Sequence, residues 1–325
     1  MTEPLVAIRS LTLEAATETG TAYILRGIDL DIGRRRILGI VGESGSGKSS
    51  LAACLIRLLA ANVTHIGGKI VFDGVDLLSL DENEMRALRG TRIAMIFQDP
   101  MTALNPLFTI ADHLVDVLRR RAPGLSRAAA LARAEELLAS VGIPDAGMRL
   151  KAYPHQLSGG MRQRVMIAMA LSANPDLLLA DEPTTALDAT VEAQIVCLLE
   201  ALRQKFSGAI VFISHHLGLV AQLCDDICVM YGGTIVEAGL VADVLSKPKH
   251  PYTSALLACE IEDDGHGGRL TSIPGDVPDP RSNNEACIFA PRCQHAVERC
   301  RIETPRLRPA GDRRTAACHR FEEIA

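Results

Sequence analysis

Residues 37–49 have the sequence ILGIVGESGSGKS, an apolar run followed by a loop rich in glycine and serine. An uninterrupted apolar run of this length is typical of a strand that is buried on both faces, as in a parallel sheet. Residues 50–59 then show the apolar spacing of a helix. Strand, glycine-rich loop and helix in this order predict a phosphate-binding loop, in which backbone N–H groups and the start of the helix bind phosphate oxygens.

The residues of this loop are candidates for contact with ATP and magnesium. We expect Lys48 to reach the β- and γ-phosphate oxygens and Ser49 to ligate Mg²⁺. Glycines allow the backbone N–H groups to turn inward around the phosphates. The residues of the loop that we predict to bind the nucleotide are Gly42, Ser44, Gly45, Gly47, Lys48, Ser49 and Ser50.

A second apolar run, residues 177–180, ends in a pair of carboxylates, Asp181 and Glu182. Two acidic side chains at the end of a buried strand are not typical of a solvated turn. We expect Asp181 to ligate Mg²⁺ and Glu182 to polarise the water that attacks the γ-phosphate.

A third motif, LSGGMRQR at residues 157–164, places a hydroxyl and two glycines at the start of a predicted helix. This arrangement forms an anion-binding site from ordinary backbone groups. The motif resembles the signature sequence of ABC ATPases, and Gln98, residues 186–188 (ALD) and His215 follow the order and approximate spacing of that family.

The resemblance implies roles for further residues. Gln98 and His215 would assist Glu182 in hydrolysis, and Gln98 would ligate Mg²⁺ together with Ser49 and Asp181. The residues implied to act in the nucleotide site beyond the phosphate loop are Ser158, Gly160, Asp188, Gln98 and Asp181. In this family the signature binds the γ-phosphate that the opposite subunit holds, so one chain carries half of each catalytic centre.

The base of ATP has a less clear partner. ABC ATPases usually stack adenine on an aromatic residue in the first strands, but the corresponding position, near Ala15, is not aromatic. Tyr23 is the nearest candidate, and a partly buried strand tyrosine without contact to the nucleotide is the alternative.

Four segments resemble the ATPases of dipeptide and oligopeptide importers. They are residues 97–106 (FQDPMTALNP), 250–253 (HPYT), 273–275 (IPG) and 287–293 (CIFAPRC), so the resemblance covers nearly the whole chain. It implies a second, related but non-identical ATPase subunit, two integral-membrane permease subunits and an extracytoplasmic substrate-binding protein. It also implies a peripheral position on the cytoplasmic face of the cell inner membrane. Peptides are the expected cargo, and nickel, glutathione, opines or sugars, which close relatives move, are the alternatives.

The last forty residues contain four cysteines, Cys287, Cys293, Cys300 and Cys318. In some members of the importer family four such cysteines hold a 4Fe–4S cluster, and four thiolates meet its ligand count. The five, six and seventeen intervening residues differ from the paired spacing of structural zinc sites, although zinc and unligated thiols remain alternatives. Three neighbouring arginines are expected to offset the negative charge of a cluster: Arg292, Arg299 and Arg301.

The family resemblance, together with the length and patterning of the chain, implies its domain organisation. We predict an α/β fold, a P-loop ABC ATPase domain over residues 1–246. It has a RecA-like core, an antiparallel β subdomain and a helical subdomain at about 101–174. A small cysteine-containing extension, 247–325, follows.

The formal charge of -5 argues against nucleic acid as a partner, and no apolar run is long enough to span a bilayer. The rival hypothesis is a soluble ABC ATPase acting on nucleic acid or ribosomes, but the chain has one phosphate loop and no sustained heptads.

Overall fold

A computed structural model describes residues 3–185, 188–261, 272–282 and 285–324 of the chain. Its contacts divide the chain into two compact units, which are residues 1–80 with 212–325, and residues 81–211. The strands are β1 Val6–Thr17, β2 Gly20–Ile32, β3 Ile37–Val41, β4 Val63–Phe72, β5 Val75–Asp76, β6 Ile93–Ile96, β7 Leu177–Asp181, β8 Ala209–Ile213, β9 Asp226–Tyr231, β10 Thr234–Leu240, β11 Arg308–Gly311 and β12 Arg314–Ala316.

The helices include several of only one turn. They are α1 Lys48–Ile56, α2 Glu82–Leu88, α3 Pro100–Ala103, α4 Ile110–Arg121, α5 Arg127–Ser140, α6 Ala146–Arg149, α7 Gly159–Ser172, α8 Ala189–Lys205, α9 Leu217–Leu223, α10 Val241–Ser246, α11 Pro251–Ile261 and α12 Glu298–Ile302. Short 3₁₀ helices occur at Pro154–Gln156 and Ala290–Arg292. Among the described residues, no helix has both the length and the apolar character required to cross a membrane.

An antiparallel sheet in the first unit has the strand order β2-β1-β4-β5. The side chains of β1 alternate between buried and accessible positions, as expected for a strand with one face on the core. The register shifts between Ile8 and Leu11, where Ser10 has a φ of 46°, and burial moves from even to odd positions there. This bulge keeps apolar residues on the core face on both sides of the shift.

The strand before the phosphate loop, β3, is buried at all five positions and pairs in parallel with β9. The next strands, β9 and β10, form a hairpin whose turn residues Gly232 and Gly233 have φ angles of 52° and 82°, a conformation that favours glycine. Further along the sheet, β10 pairs with β12, with Glu237 opposite Ala316. The predicted extension therefore adds strands to the same sheet that carries the phosphate loop.

In the second unit, β6 and β7 pair in parallel, and the described residues between them are helical or in turns. The helices α4, α5 and α7 pack on one another through buried apolar side chains such as Leu114 and Leu138. Thr109 and Ser126 cap α4 and α5 by accepting backbone N–H bonds. The described residues of this stretch form helices α3 to α7, and the helical subdomain at about 101–174 stays a prediction.

The prolines and glycines of residues 261–286 are typical of a linker, and this segment lies partly outside the described residues. Its residues 272–282 form neither helix nor strand but hydrogen-bond to β2. Of the five cysteines away from the C-terminus, Cys54, Cys224 and Cys228 are buried as small apolar side chains, whereas Cys197 is exposed.

Candidate functional site

Glycines determine the shape of the phosphate loop. Gly42, Gly45 and Gly47 have φ angles of 150°, 79° and 100°, which side-chain-bearing residues rarely adopt. A Cβ on Gly42 would lie 2.1 Å from the carbonyl oxygen of Met230, so only glycine fits there. Gly47 is the N-cap of α1, so the loop leads directly into the start of a helix, a place that favours an anion.

Lys48 lies across the loop. Its side chain is 6% exposed, and its Nζ donates to the carbonyl oxygens of Gly42 at 2.7 Å and Glu43 at 3.1 Å. Ser49 is exposed at the second position of α1, and Ser44 and Gly45 are exposed in the loop. The loop thus presents an ammonium group, a hydroxyl and backbone N–H groups, which together suit a phosphate with Mg²⁺.

The C-terminal extension braces this loop through an ion pair that the sequence did not reveal. Arg292 donates to both carboxylate oxygens of Glu43, at 2.8 and 3.1 Å, and to the hydroxyl of Tyr231 at 3.2 Å. The hydroxyl of Tyr252 accepts a hydrogen bond from the backbone N–H of Glu43 at 2.8 Å. The Glu43 carboxylate raises the pKa of Arg292 further above its usual value.

Two of the C-terminal arginines that were expected to offset the charge of a cluster have carboxylate partners in the structure. Arg292 is 4% exposed in its side chain and pairs with Glu43, whereas Arg299 forms an exposed pair with Glu303. Both charges are therefore engaged by carboxylates. The motif around residue 292 was visible in the sequence, but no local pattern connects it with Glu43.

Gln98 and Glu182 meet because they follow neighbouring parallel strands. Ile96 of β6 lies opposite Ala180 of β7, so the carboxyl ends of these strands lie side by side. The Nε2 atom of Gln98 donates to the carboxylate of Glu182 at 3.1 Å. The structure therefore brings together two residues that the sequence predicted for catalysis.

Glu182 is further constrained by its own turn. Its φ is 45°, which is uncommon for a residue with a side chain, and the hydroxyl of Thr185 donates to its carboxylate at 2.9 Å. Sequence reasoning missed Thr185, although a threonine three residues after a turn glutamate can reach back in this way. Asp181, which ends β7, is 6% exposed. One buried and one partly exposed carboxylate thus lie at this strand end.

The signature motif begins α7. Ser158 is the N-cap, and its hydroxyl accepts from the N–H of Met161 at 3.3 Å. Gly160 packs against α8, since a Cβ there would lie 2.5 Å from Cγ1 of Val191, whereas Gly159 faces open space. Asp188 accepts from the N–H of Val191 at 2.9 Å, and residues 186–187 lie outside the described part of the chain.

His215, predicted for catalysis, and Tyr23, predicted to contact adenine, both lie in the first unit, which also contains the phosphate loop. His215 follows β8 and is exposed, and its ring lies 4.2 Å from that of the exposed His216. Tyr23 is half-buried on β2, whereas Ala15 is 6% exposed within β1. The small, buried Ala15 cannot stack on a base, so Tyr23 remains the aromatic candidate.

The four C-terminal cysteines line one small cavity together with His295 and His319. Burial raises the pKa of the Cys287 thiol to about 11 and also raises the pKa of Cys293 and Cys318. Within the described residues, no group of three or more His, Cys, Asp or Glu side chains is arranged to hold a metal ion. The four predicted ligands therefore line the same cavity. Their arrangement in the described residues does not form the expected metal site.

Comparisons with known proteins agree with these motifs. Residues 25–185 match the family described as "ABC transporter", and residues 236–300 match "Oligopeptide/dipeptide transporter, C-terminal region". The chain is 45% identical over 321 residues to the "Oligopeptide transport ATP-binding protein OppD" of Salmonella typhimurium, covering 98% of this chain and 95% of the relative. It is 45% identical over 313 residues to the "Probable D,D-dipeptide transport ATP-binding protein DdpD" of Escherichia coli, covering 96% and 95%.

A solved structure with the same fold is described as a "Dimeric structure of a post-hydrolysis state of the ATP-binding cassette MJ0796 bound to ADP and Pi". It superposes with a TM-score of 0.65 at 28% identity, covering 73% of this chain and 98% of that one. The predicted ABC ATPase cassette fold is confirmed. Together with the whole-length relatives, this shows that the chain belongs to the ABC transporter family, as an ATPase subunit of the oligopeptide and dipeptide transporter type.

Proposed function

We propose that this ATPase subunit hydrolyses ATP at the residues described above to power the uptake of di- or oligopeptides across a membrane. The observation that carries hydrolysis is the position of Glu182, whose carboxylate is held by Gln98 and Thr185 at the end of β7. A carboxylate fixed in this way is suited to polarise an attacking water. The named transport of oligopeptides and D,D-dipeptides by relatives of nearly equal length supports the cargo.

Each phosphate-contacting residue has a separate role in the proposal. Lys48 binds the β- and γ-phosphate oxygens, and the hydroxyl, carboxylate and amide oxygens of Ser49, Asp181 and Gln98 suit Mg²⁺, which prefers oxygen ligands. Magnesium would neutralise charge that develops on the phosphates. The carboxylate of Glu182 accepts a hydrogen bond from the attacking water and so increases the nucleophilicity of that water.

The signature motif acts on a second subunit. Ser158 and the first-turn N–H groups of α7 lie at an exposed helix start, which favours an incoming anion. We propose that they bind the γ-phosphate held by a partner ATPase, a related chain, and that Asp188 lies at that junction. His215 would orient the water and the γ-phosphate. The dimer described for the solved relative supports such a pairing.

The remaining partners follow from the type of transporter. The proposed complex contains two integral-membrane permeases and an extracytoplasmic substrate-binding protein, and this chain is peripheral on the cytoplasmic face of the cell inner membrane. Closure and reopening of the ATPase pair would drive the permeases. The match of residues 236–300 to the transporter C-terminal region favours this reading over a soluble ATPase acting on nucleic acid or ribosomes.

We also propose a 4Fe–4S cluster at the four C-terminal cysteines. Their convergence on one cavity supports it, as does the match of four sulfur ligands to such a cluster. A cluster would supply cross-links that hold the extension together and would stabilise the thiolate form of side chains whose pKa burial raises. We assign it no part in hydrolysis.

Uptake of a labelled tripeptide by cells that express the full transporter tests the function. Lys48→Met should abolish both ATP binding by the purified chain and uptake, because it removes the ammonium group from the loop. Lys151→Met, at an exposed lysine outside the loop, is the matched control and should leave both unchanged. Unimpaired uptake with Lys48→Met would contradict the proposal, as would purification of the wild-type chain with ribosomes and without membrane proteins.

A further inference from the structure

A cavity of about 130 Å³ lies beside the phosphate loop within the first unit. One wall contains Ser44 to Ser46 of the loop, and another contains Tyr23 of β2. The third wall comes from the C-terminal extension, through residues 277–280. An engineered cavity of about 150 Å³ takes up benzene, so this space is of the size that holds a flat ring.

The extension segment is fixed against β2 and not merely near it. The carbonyl oxygen of Pro280 accepts from the N–H of Tyr23 at 2.8 Å and from Arg26 at 3.1 Å. Arg26 also donates to the carbonyl oxygen of Ser282 at 2.6 Å, and Arg281 donates to the hydroxyl of Thr19 at 2.6 Å. These hydrogen bonds fix residues 280–282 against β2, so that residues 277–280 form one wall of the cavity.

The walls are suited to a base with a polar attachment. Val277 is 54% exposed and lies with Pro278 on the same wall, so its apolar surface is accessible to a ligand. Among the residues that the structure describes, two buried polar atoms that line the cavity find no hydrogen-bond partner: the hydroxyl of Ser46, in a residue that is 3% exposed, and Nε of Arg26. Buried polar groups of this kind are normally satisfied, and a bound polar molecule can supply the missing partners.

We infer that residues 277–280 of the extension form part of the site for the base and ribose of ATP, opposite Tyr23. This inference rests on the proposed function of the phosphate loop. The base lies between the tyrosine ring and the apolar surface of Val277 and Pro278, while Ser46 and Arg26 offer hydrogen bonds to polar atoms of the nucleoside. The extension thereby supplies an apolar contact that the small side chain of Ala15 cannot provide.

Binding of two ligands to the full-length chain separates the base from the phosphates. Calorimetric titration with ATP and with inorganic tripolyphosphate, each with Mg²⁺, should show that Val277→Ser weakens ATP about three- to tenfold, because it removes apolar area from one wall. Tyr23→Ala should weaken ATP about tenfold or more, as loss of a stacking partner does. Both variants should bind tripolyphosphate as the wild type does.

Val297→Ser is the matched control, since Val297 is 37% exposed in the same extension and does not line the cavity. It should leave both affinities unchanged. An 8-azido-ATP photolabel should attach within residues 277–280 of the wild type. Equal ATP affinity for Val277→Ser and the wild type, or a photolabel that avoids residues 277–280, would overturn the inference. Failure of the wild type to bind either ligand would instead refute the proposed function of the loop.

Discussion

Arg292 and Glu43 form a two-hydrogen-bond ion pair that links the C-terminal extension to the phosphate loop across 249 positions of sequence. The same guanidinium donates to the carbonyl oxygens of Ile273 at 2.9 Å and Pro274 at 3.0 Å. Arg292 therefore satisfies acceptors from the loop and from the extension at once. Through Arg292, the conformation of the phosphate loop depends on residues that lie far from the ATPase motifs in the sequence.

Arg292→Met should lower the free energy of unfolding by about 2 kcal/mol or more, because it leaves the Glu43 carboxylate and two carbonyl oxygens without their donor. Urea denaturation followed by circular dichroism measures this change. Arg299→Met removes an exposed partner of Glu303 and should have no measurable effect. Equal midpoints for the two variants would show that the Arg292 pair does not brace the loop.

Glu182→Gln should retain ATP binding but reduce turnover by ~10²-fold or more, because the amide keeps the shape of the side chain and loses its charge. The amide oxygen can still accept from Gln98 and Thr185. Closed dimers should accumulate with ATP, and phosphate release with size-exclusion chromatography measures both effects. Glu136→Gln, on the exposed surface of α5, is the control. Near-normal hydrolysis when this site alone is active would exclude Glu182 as the polarising group.

A substitution at the start of α7 tests whether the signature motif binds the nucleotide of the partner subunit. Gly159→Asp places a carboxylate where the partner's γ-phosphate must bind, and Gly159 has open space for the new side chain. The isolated variant should bind ATP normally, but ATP-driven dimerisation should weaken about tenfold or more through like-charge repulsion. Gly159→Asn has the same shape without the charge and should dimerise better than the aspartate variant.

Gly160→Asp is a less specific change at the same helix. Its Cβ would lie 2.5 Å from Val191, so it also disturbs packing, at a cost of about 1–3 kcal/mol. Loss of ATP binding by the isolated Gly159→Asp chain, measured by calorimetry, would mean that the signature acts on the chain's own nucleotide.

The stability of the first unit should decrease in acid because of His250. Burial lowers the pKa of this histidine from 6.5 to about 3, and its Nδ1 accepts from the N–H of Tyr252 at 3.0 Å. The unfolded chain therefore binds more protons than the folded chain between these values, so stability is present above pH 6.5 and falls as pH falls towards about 3.

Each pH unit in that window should cost about 1.4 kcal/mol from His250. The charged neighbour on its backbone is Glu237, whose carboxylate accepts from the N–H of His250 at 3.0 Å and also pairs with Arg314. Urea denaturation between pH 7 and pH 5 should give a shallower pH dependence for His250→Asn, which keeps an acceptor near Nδ1. His155→Asn, at an exposed histidine, should keep the wild-type dependence. Identical dependence in all three proteins would exclude His250 as the cause.

The sequence predicted those features whose cause is local. The apolar run 37–41 and the glycines after it predicted β3 and the loop, and the run 177–180 predicted β7, because burial on both faces and positive φ angles limit the residue types allowed. The helical insertion followed from apolar spacing. The family resemblance implied that Gln98 assists Glu182 in hydrolysis. The direct contact of the two side chains was not predicted, because neither segment contains a signal for the register between β6 and β7.

Contacts between distant segments could not be predicted in the same way. The pairing of β12 with β10 joins residues 77 to 79 positions apart, and the two strands have only short stretches of weak alternation. Tyr23 was a candidate by residue type, but its backbone bond to Pro280 depends on a segment that looked like a linker. In each case the determinant is tertiary packing, for which a single sequence contains no periodic signal.

The four C-terminal cysteines give the last prediction. Protein purified without oxygen should be brown and contain about four iron atoms per chain, the stoichiometry of a 4Fe–4S cluster. Serine at any of Cys287, Cys293, Cys300 or Cys318 should remove the colour, because each thiol lines the same cavity. Cys197→Ser is the control, since this exposed cysteine lies in α8 and should not affect iron content.

Loss of the cluster should loosen the extension while ATP still binds, because Lys48 and Ser49 are untouched. Hydrogen exchange should increase beyond about residue 285, because ligation would add cross-links to a segment whose large buried side chains are Phe289 and Phe321. Because Arg292 lies beside Cys293 and holds Glu43, the increase should extend to the phosphate loop in the cysteine variants. Colourless anaerobic protein with stoichiometric zinc, or with neither metal, would defeat the cluster and leave the ATPase assignment intact.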